Sequence, residues 1–287
     1  MYPCLNTGVI GVKATFDEAV ELAARHGFQG IDFSIAEVEE IVADKGEAHV
    51  RRLLNDAGVR LGAWGPPVNW RADEAAWRAD LPLLVRRAAL ARTLGSDRSS
   101  TWIMPGDNDR DFDTNYAFHL DRLHPVAELL GRQECRLGLE WVGPKTLRDS
   151  RHFPFIHTME GMRKLAADIG GNVGLLVDIF HLYTSHADVA AVRSLPVTDV
   201  VNVHVNDAVA GRTPDEQLDN ERALPGETGV CDIAGFMQAL AAIGYDGPVT
   251  VEPFSQRVRA MGADDAVRAT ADSLRHSWAL AGLDFPG

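Results

Sequence analysis

Short apolar segments rich in β-branched residues alternate with helical patterns along this chain, and that alternation limits the fold more than any other feature. Residues 173–177 and 200–203 are clear examples, and each segment runs directly into polar residues. Such segments are typical of strands buried on both faces, in a parallel sheet covered by helices. A polar residue at the last position of such a strand has left the packed interior. We therefore expect it at the edge where the strands end.

Counting along the chain predicts eight strands that alternate with eight helices. The strands are expected at residues 5–9, 30–34, 59–64, 98–104, 135–139, 173–177, 200–204 and 248–251. Such alternation implies parallel strands, and eight repeats favour a closed (β/α)8 TIM barrel over an open doubly wound sheet. No Gly-x-Gly-x-x-Gly follows the first strand, which argues against a dinucleotide-binding fold. With 287 residues, 46% of them hydrophobic, the chain is expected to form a single barrel domain over residues 1–287.

Several local features lead to further expectations about the elements. Pro82 and Pro125 lie inside helical patterns, where each is expected to bend the helix or, for Pro82, to mark a second start. A short helix is expected near residues 188–195, and Trp102 lies in mid-strand and is expected in the core. Residues 208–230 form an unusually long connection, which inside a compact domain is more often functional than not.

Charge and cysteine content limit the classes of partner and compartment. The chain has 28 basic and 41 acidic side chains, a formal charge of −13, which disfavours a nucleic-acid partner. Its three cysteines are far apart and are typical of reduced packing residues. The amino terminus does not resemble a signal peptide, and no apolar run is long enough to span a membrane. We therefore expect a cytoplasmic protein without a membrane partner.

Four successive predicted strands end in a carboxylate or an imidazole: Glu140, Asp178, His204 and Glu252. In a barrel the strand ends converge on one rim, so these side chains should face one another across half of the mouth. Three carboxylates and one imidazole form a ligand set suited to Mn²⁺, Mg²⁺ or Co²⁺. Without a cation, the carboxylates would repel one another by roughly 1 to 4 kcal/mol per pair.

These motifs bring the chain close to a known family. The residues that carry the resemblance are 5–7, the strand ending at Glu140, 178–181, 204–207, 224–227 and 244–252. They resemble the xylose isomerase-like TIM barrels, and within them the sugar phosphate isomerase/epimerase group, which includes ketose 3-epimerases, hydroxypyruvate isomerases and inosose dehydratases. The resemblance covers nearly the whole chain and is specific for the fold and the metal site, but much less so for the substrate.

The resemblance implies a metal-dependent enzyme. It assigns one divalent cation, Mn²⁺ first with Mg²⁺ or Co²⁺ as alternatives, to Glu140, Asp178, His204 and Glu252. It also assigns to Glu140 and Glu252 the removal and return of a proton at a substrate carbon, with the metal stabilising an enediolate. His181 matches a position that contacts substrate. Family members are often dimers or tetramers, which implies a homo-oligomer.

Further substrate contacts are less strongly indicated. The ketose epimerases have an arginine shortly after the metal-binding histidine, and Arg212 is its counterpart here, although at a different spacing. Where those enzymes have a second glutamate, this chain has Thr146. Asn6 and Trp64 lie at predicted strand ends, where an amide could bind a sugar and an indole could stack on it or simply close the mouth. Lys145 lies on a rim-side loop and could bind a phosphate or remain a solvated charge.

The predicted function is therefore a metal-dependent isomerase or epimerase of a ketose or related polyol. The alternative is a lyase on the same metal site, dehydrating an inosose or cleaving a 3-keto sugar derivative. An endonuclease of the same barrel type needs further metal ligands at the second and third strand ends, and there the chain has 33–34 and 64–65, which supply none. A sugar-binding module without catalysis remains a further alternative.

Overall fold

Eight parallel strands form the central sheet, which confirms the predicted fold class. The computed structural model describes residues 1–286, so Gly287, the last residue of the predicted domain, lies outside the described residues. Numbered in chain order, the barrel strands are β1 (Tyr2–Leu5), β2 (Gly30–Ile31), β3 (Arg60–Leu61), β4 (Arg98–Ile103), β5 (Arg136–Trp141), β6 (Val173–Asp178), β7 (Val200–Val205) and β8 (Pro248–Val251). Gly106–Asp107 and Phe153–Pro154 form a separate antiparallel ribbon.

The sheet closes into a barrel between β3 and β4. Its hydrogen-bonded order is β3-β2-β1-β8-β7-β6-β5-β4, which leaves these two strands at its ends. Trp64, just after β3, pairs in parallel with Ser99 of β4. Its amide donates to the Arg98 carbonyl at 3.1 Å, and its carbonyl accepts from the Ser100 amide at 3.0 Å. The carboxyl ends of all eight strands therefore surround one mouth.

Helices follow the strands, and local sequence explains where several begin. They are α1 (Phe16–His26), α2 (Ile35–Lys45), α3 (Glu47–Ala57), α4 (Glu74–Thr93), α5 (Phe112–Arg132), α6 (Lys145–Arg148), α7 (Met159–Ile169), α8 (Ile179–Thr184), α9 (Ile233–Ala242), α10 (Gln256–Arg259) and α11 (Ala263–Leu280). Thr15 and Glu18 form a capping box at α1. Gly46 separates α2 from α3, with a φ of 81° that favours glycine.

Strands β2 and β3 are shorter than the sequence predicted. A side chain explains the early end: the Asp32 carboxylate accepts the Ala63 amide at 2.7 Å, taking a donor that would otherwise pair within the sheet. The connection after β6 also differs, because α8 follows directly and the expected helix near 188–195 is a 3₁₀ helix, Val189–Ser194. Pro82 and Pro125 lie within continuous helices, so the second start expected at Pro82 was wrong.

Trp102 was expected in the core, and this prediction was wrong. Its side chain is 43% exposed. Trp102 pairs in register with Glu140 across β4 and β5, so both residues are on the face that lines the barrel mouth. The mouth is open at this point, which leaves the indole accessible.

None of the helices within residues 1–286 is both long enough and apolar enough to cross a membrane.

Candidate metal centre

The structure brings together the four side chains predicted at successive strand ends. Glu140 lies in β5, Asp178 ends β6, His204 lies in β7 and Glu252 directly follows β8. Each offers one ligand atom, and these atoms all lie within 4.8 Å of one another. The register explains the convergence, because Asp178 pairs with His204 across β6 and β7, and the β8 residue opposite His204 is Thr250.

Burial and mutual charge perturb this group strongly. Burial raises the pKa of Glu140 to about 7, and the nearby Glu252 carboxylate adds to the rise although His204 opposes it. Burial also raises the pKa of Asp178, against the effect of the Arg222 charge. Burial alone would lower the pKa of His204, but the Glu252 and Glu140 carboxylates outweigh it and raise that pKa well above its usual value. Three carboxylates this close together would be stabilised further by a bound cation.

Two atoms of this group fit a metal ligand role in particular. Glu140 Oε1 and His204 Nδ1 are buried without a hydrogen-bond partner in the described residues, although they lie 3.6 Å apart. His204 Nδ1 is also 3.5 Å from Glu252 Oε2. Buried polar atoms without partners are costly, and binding one ion would satisfy both. Oxygen and imidazole nitrogen donors of this kind suit a divalent cation, so the residues present fit such an ion.

Arg222 is a buried part of this site that the sequence reasoning missed. Its side chain is 1% exposed, and Nη1 donates to Asp178 Oδ2 at 2.9 Å and to Glu252 Oε2 at 3.0 Å. The guanidinium also lies 4.5 Å from the ring centre of Phe180 and 4.8 Å from that of Phe254. The one available signal was its place just before residues 224–227, part of the motif on which the resemblance rested.

The long connection 208–230 places Arg222 at the metal centre, because both ends of the connection are hydrogen-bonded to one carboxylate. Asp207 Oδ1 accepts the amides of Ala208 and Cys231 at 2.9 and 2.8 Å, and Oδ2 accepts those of Thr228 and Gly229 at 3.1 and 2.8 Å. The backbones of Asp207 and Ala223 exchange hydrogen bonds at 2.9 and 2.8 Å. Because Arg222 directly precedes this pair, the bridge directs it back towards the barrel mouth.

His181 presents one ring nitrogen to the cleft. It lies in α8, whose first turn is capped by Asp178, the side chain of which accepts the Phe180 amide at 2.7 Å. The Gly143 amide lies 3.2 Å from Nδ1, and Arg222 Nη2 lies 3.2 Å from Nε2. Both partners are donors, and a neutral ring has one acceptor nitrogen, so it accepts only one of these two hydrogen bonds. Burial lowers the pKa of His181 well below its usual value, and the Arg222 charge adds to this. At the cleft, Nε2 thus lies beside the Arg222 guanidinium and 3.7 Å from Glu140 Oε1.

Two cavities meet at the metal centre. The first, of about 450 Å³, extends towards β1 to β4, and we call it the strand cavity. The second, of about 380 Å³, is lined by Arg222 and His181 among others, and we call it the arginine cavity. Glu140, Glu252 and Trp102 line both. A substrate that spanned the cleft would thus have its middle at the two glutamates.

The predicted substrate contacts are divided between the cleft and the surface. Asn6 and Trp64 line the strand cavity, and Trp64 is 2% exposed. Lys145 pairs with Asp215 at 3.1 Å and Arg212 pairs with Glu221 at 2.7 Å. Within residues 1–286, neither Lys145 nor Arg212 lines the strand cavity or the arginine cavity, because each is turned to a carboxylate outside the cleft. Their contact with a substrate stays a prediction.

Comparison of the sequence with known proteins identifies the family of this chain. A family model described as xylose isomerase-like TIM barrel matches residues 20–277. The 3-dehydroshikimate dehydratase of Pseudomonas aeruginosa is 27% identical over 258 residues, which is 89% of this chain and 38% of the dehydratase. The chain therefore spans less than two fifths of that relative's length. The inosose isomerase of Bacillus velezensis is 21% identical over 282 residues, 94% of each protein.

Solved structures match over almost the entire chain. A xylose isomerase domain protein from Alicyclobacillus acidocaldarius has a TM-score of 0.88 and 29% identity, covering 98% of this chain and 99% of that one. The IOLI protein, solved with a bound zinc atom, has a TM-score of 0.79 and 18% identity, covering 96% and 98%. The latter likeness concerns the fold alone.

Proposed function

Because the chain belongs to the xylose isomerase-like TIM barrel family, we propose that it is a divalent-metal-dependent isomerase or epimerase of a ketose or related polyol. The observation that supports this best is the convergence of Glu140, Asp178, His204 and Glu252, with ligand atoms within 4.8 Å, at the junction of two cavities. We propose Mn²⁺ as the ion, held by these four residues. When bound, the ion supplies Lewis-acid polarisation of a carbonyl, which makes the neighbouring carbon acidic.

The proton movement falls to the two glutamates. Glu140 and Glu252 line both cavities, so each can reach a carbon placed between them. In the proposed reaction one carboxylate takes the proton from the carbon next to the carbonyl, and a carboxyl group returns a proton to the same or the adjacent carbon. His181 lines the arginine cavity and is the proposed contact for a substrate oxygen there, where Arg222 adds a fixed positive charge.

A dehydratase is the second candidate, and a specific observation favours it. Two 3-dehydroshikimate dehydratases are 25% and 27% identical to this chain over 89% of its length. Both reactions begin with removal of a proton next to a carbonyl, so the same glutamates serve either outcome.

Replacing each glutamate tests the proposal. Glu140→Gln and Glu252→Gln should each lower turnover by about 10² to 10⁴-fold, the usual loss for a missing general acid or base. Glu128→Gln, an exposed glutamate paired with Arg132, is the matched control and should keep full turnover. Bound metal is quantified in every variant, so that loss of the ion is separated from loss of the proton-transferring group.

The substrates for this test are a ketose, an inosose and 3-dehydroshikimate, each followed in D₂O. Deuterium in an isomerised sugar identifies an isomerase or epimerase, whereas loss of water from the substrate identifies the dehydratase. Proton exchange that continues unchanged in both variants, with metal bound, would refute the two-glutamate mechanism.

A further inference from the structure

Two buried polar groups at the strand cavity have no hydrogen-bond partner among residues 1–286. Asn202 is 1% exposed and Trp64 is 2% exposed, and both line this cavity. Asn202 Oδ1 and Trp64 Nε1 lack a hydrogen bond to any described residue. Buried polar groups in native proteins are almost always hydrogen-bonded. The unpartnered acceptor and donor belong to two residues that line one cavity, which makes them candidate contacts for a ligand that offers both functions.

The register places Asn202 below the metal centre. Asn202 is two residues before His204 in β7, so both side chains are on the same face of the strand, one about 7 Å deeper in the barrel. Its partner across β6 and β7 is Leu176, which also lines the strand cavity. Trp64 stands on the opposite wall, where β3 meets β4. The free groups thus lie beyond the metal ligands, where the distal end of a bound substrate would reach.

Asp32 supplies a third polar group at a fixed position in the same cavity. Its Oδ1 accepts the Ala63 amide at 2.7 Å, and its Oδ2 accepts the Thr250 hydroxyl at 2.9 Å. Gly62 makes room for this arrangement, because a Cβ there would lie 2.6 Å from Asp32 Oδ1 and 2.5 Å from Cys4 Sγ. The Cys4 thiol also donates to Oδ1 at 3.4 Å. A carboxylate has about four acceptor positions, so Asp32 retains about one for the cavity.

The charge of the strand cavity excludes an anionic ligand group. Within the described chain its lining contains neither lysine nor arginine, and Asp32 and Glu37 add negative charge to that of the metal ligands. The arginines that border the cleft do so from other sides, such as Arg222 in the arginine cavity. Hydroxyl groups fit this lining, because each can donate to Asn202 Oδ1 or Asp32 and accept from Trp64 Nε1. A volume of about 450 Å³ is large enough for a six-carbon polyol.

We propose that Asn202, Trp64 and Asp32 form a hydroxyl-binding subsite that takes the uncharged, polyhydroxylated end of the substrate. The subsite rests on the proposed function only in placing the reacting carbon at Glu140 and Glu252. It assigns an orientation: the hydroxylated carbons lie in the strand cavity, and the rest of the substrate extends towards the arginine cavity. A site built to hydrogen-bond a hydroxyl rejects the analogue that lacks it, because the buried groups are then left without partners.

Asn202→Leu is the most direct test, since it keeps the number and branching of side-chain heavy atoms and removes both polar atoms. Because the Asn202 side-chain carbonyl has no partner among the described residues, its loss should leave the melting temperature of the free protein unchanged or raise it. Calorimetry with saturating Mn²⁺ should show at least about tenfold weaker binding of D-psicose and of an inosose. Bound metal should be unchanged. A gain or retention of stability together with a loss of affinity is not what a structural residue would give.

Trp64→Phe removes the donor and has a matched control. Trp77 is likewise buried with an unpartnered Nε1, but it does not line the strand cavity, so Trp77→Phe removes the same group elsewhere. Binding of the two polyols should weaken in Trp64→Phe and remain unchanged in Trp77→Phe. Equal effects of the two substitutions would overturn the subsite.

The binding measurement separates this proposal from the proposed function. Wild-type protein that binds the polyols, with weaker binding in Asn202→Leu, supports the subsite even if no turnover is found, and only the proposed function then fails. Wild-type protein that binds neither polyol overturns the subsite. So does an Asn202→Leu variant with lowered melting temperature and unchanged affinity.

Discussion

Arg222 is a buried guanidinium that holds two of the four predicted metal ligands. A buried charge persists only when it is paired, and Arg222 Nη1 bonds one oxygen each of Asp178 and Glu252. Of these, Glu252 Oε2 is also the oxygen that lies 3.5 Å from His204 Nδ1. The guanidinium therefore competes with a cation for carboxylate charge, while it compensates part of that charge when no metal is bound.

Arg222→Gln should have opposite effects on the metal-free and metal-bound protein. Without metal, loss of the buried pair should lower the free energy of unfolding by about 3 to 5 kcal/mol. Metal affinity, measured by competition with a chelator, should rise at least about tenfold, because a positive charge within a few ångströms of the ion is removed. Arg222→Lys keeps the charge and serves as the control. Weaker metal binding in Arg222→Gln would show that the arginine orients the ligands instead.

The connection 208–230 is ordered by a carboxylate that accepts four backbone amides. Asp207 binds Ala208 at the start of the connection and Thr228 and Gly229 near its end, and its backbone pairs with Ala223 in the middle. An irregular segment of this length would otherwise have a large conformational entropy. The position of Arg222 therefore depends on one residue at the end of β7.

Asp207→Asn should make the connection 208–230 less ordered without unfolding the barrel. The amide side chain replaces one acceptor oxygen by a donor that faces backbone N–H groups, so we expect a loss of about 2 to 4 kcal/mol in stability. Hydrogen exchange of the amides in 208–230 should accelerate more than that of the barrel strands. Asp215→Asn is the control on the same connection: this half-exposed carboxylate bonds the side chains of Lys145 and His186 and no backbone amide, so exchange should accelerate far less. Equal acceleration throughout the barrel would mean that Asp207 stabilises the whole fold and not this segment.

The metal centre links strands β5 to β8, so the proposed metal should stabilise half of the barrel at once. In the metal-free protein, His204 and Glu140 have raised pKa values, the latter about 7. A raised pKa contributes stability that is present below the unfolded-state pKa and is lost as pH rises through the folded-state pKa. When a metal ion binds, it takes the place of the protons on His204 and Glu140. The metal-bound protein therefore does not lose stability in this way as the pH rises.

The increase in melting temperature on adding Mn²⁺ should therefore grow from about pH 5 to pH 8.5. Chelator-treated and metal-loaded samples are compared at each pH by thermal unfolding. Taking the difference cancels residues remote from the site, such as His119, whose pKa burial lowers to about 4 in both forms. Chelation should also abolish turnover, and Mn²⁺ or Co²⁺ should restore both properties. A stabilisation by metal that did not change with pH would contradict this account.

The sequence alone determined the features that depend on neighbouring residues. Strand and helix patterns, the capping residue Thr15 and the break at Gly46 follow from local chemistry, and their repetition was enough to predict a closed barrel. Placing Glu140, Asp178, His204 and Glu252 at one mouth required only that parallel strands end on the same rim. Helix α4 continues through Pro82, so no second helix starts there, and the bends expected at Pro82 and Pro125 stay predictions.

Only the tertiary structure decided which further side chains belong to the site. Arg222 lies 44 residues from Asp178 along the chain, and a single charged residue in a long connection carries no local sign of being buried. Trp102 has a strand pattern typical of the core, yet its register opposite Glu140 brings it to the open mouth. Asn202 and Asp32 become candidates for substrate binding only because both line the strand cavity. Burial and free hydrogen-bonding capacity arise from contacts between distant segments, so no pattern of neighbouring residues encodes them.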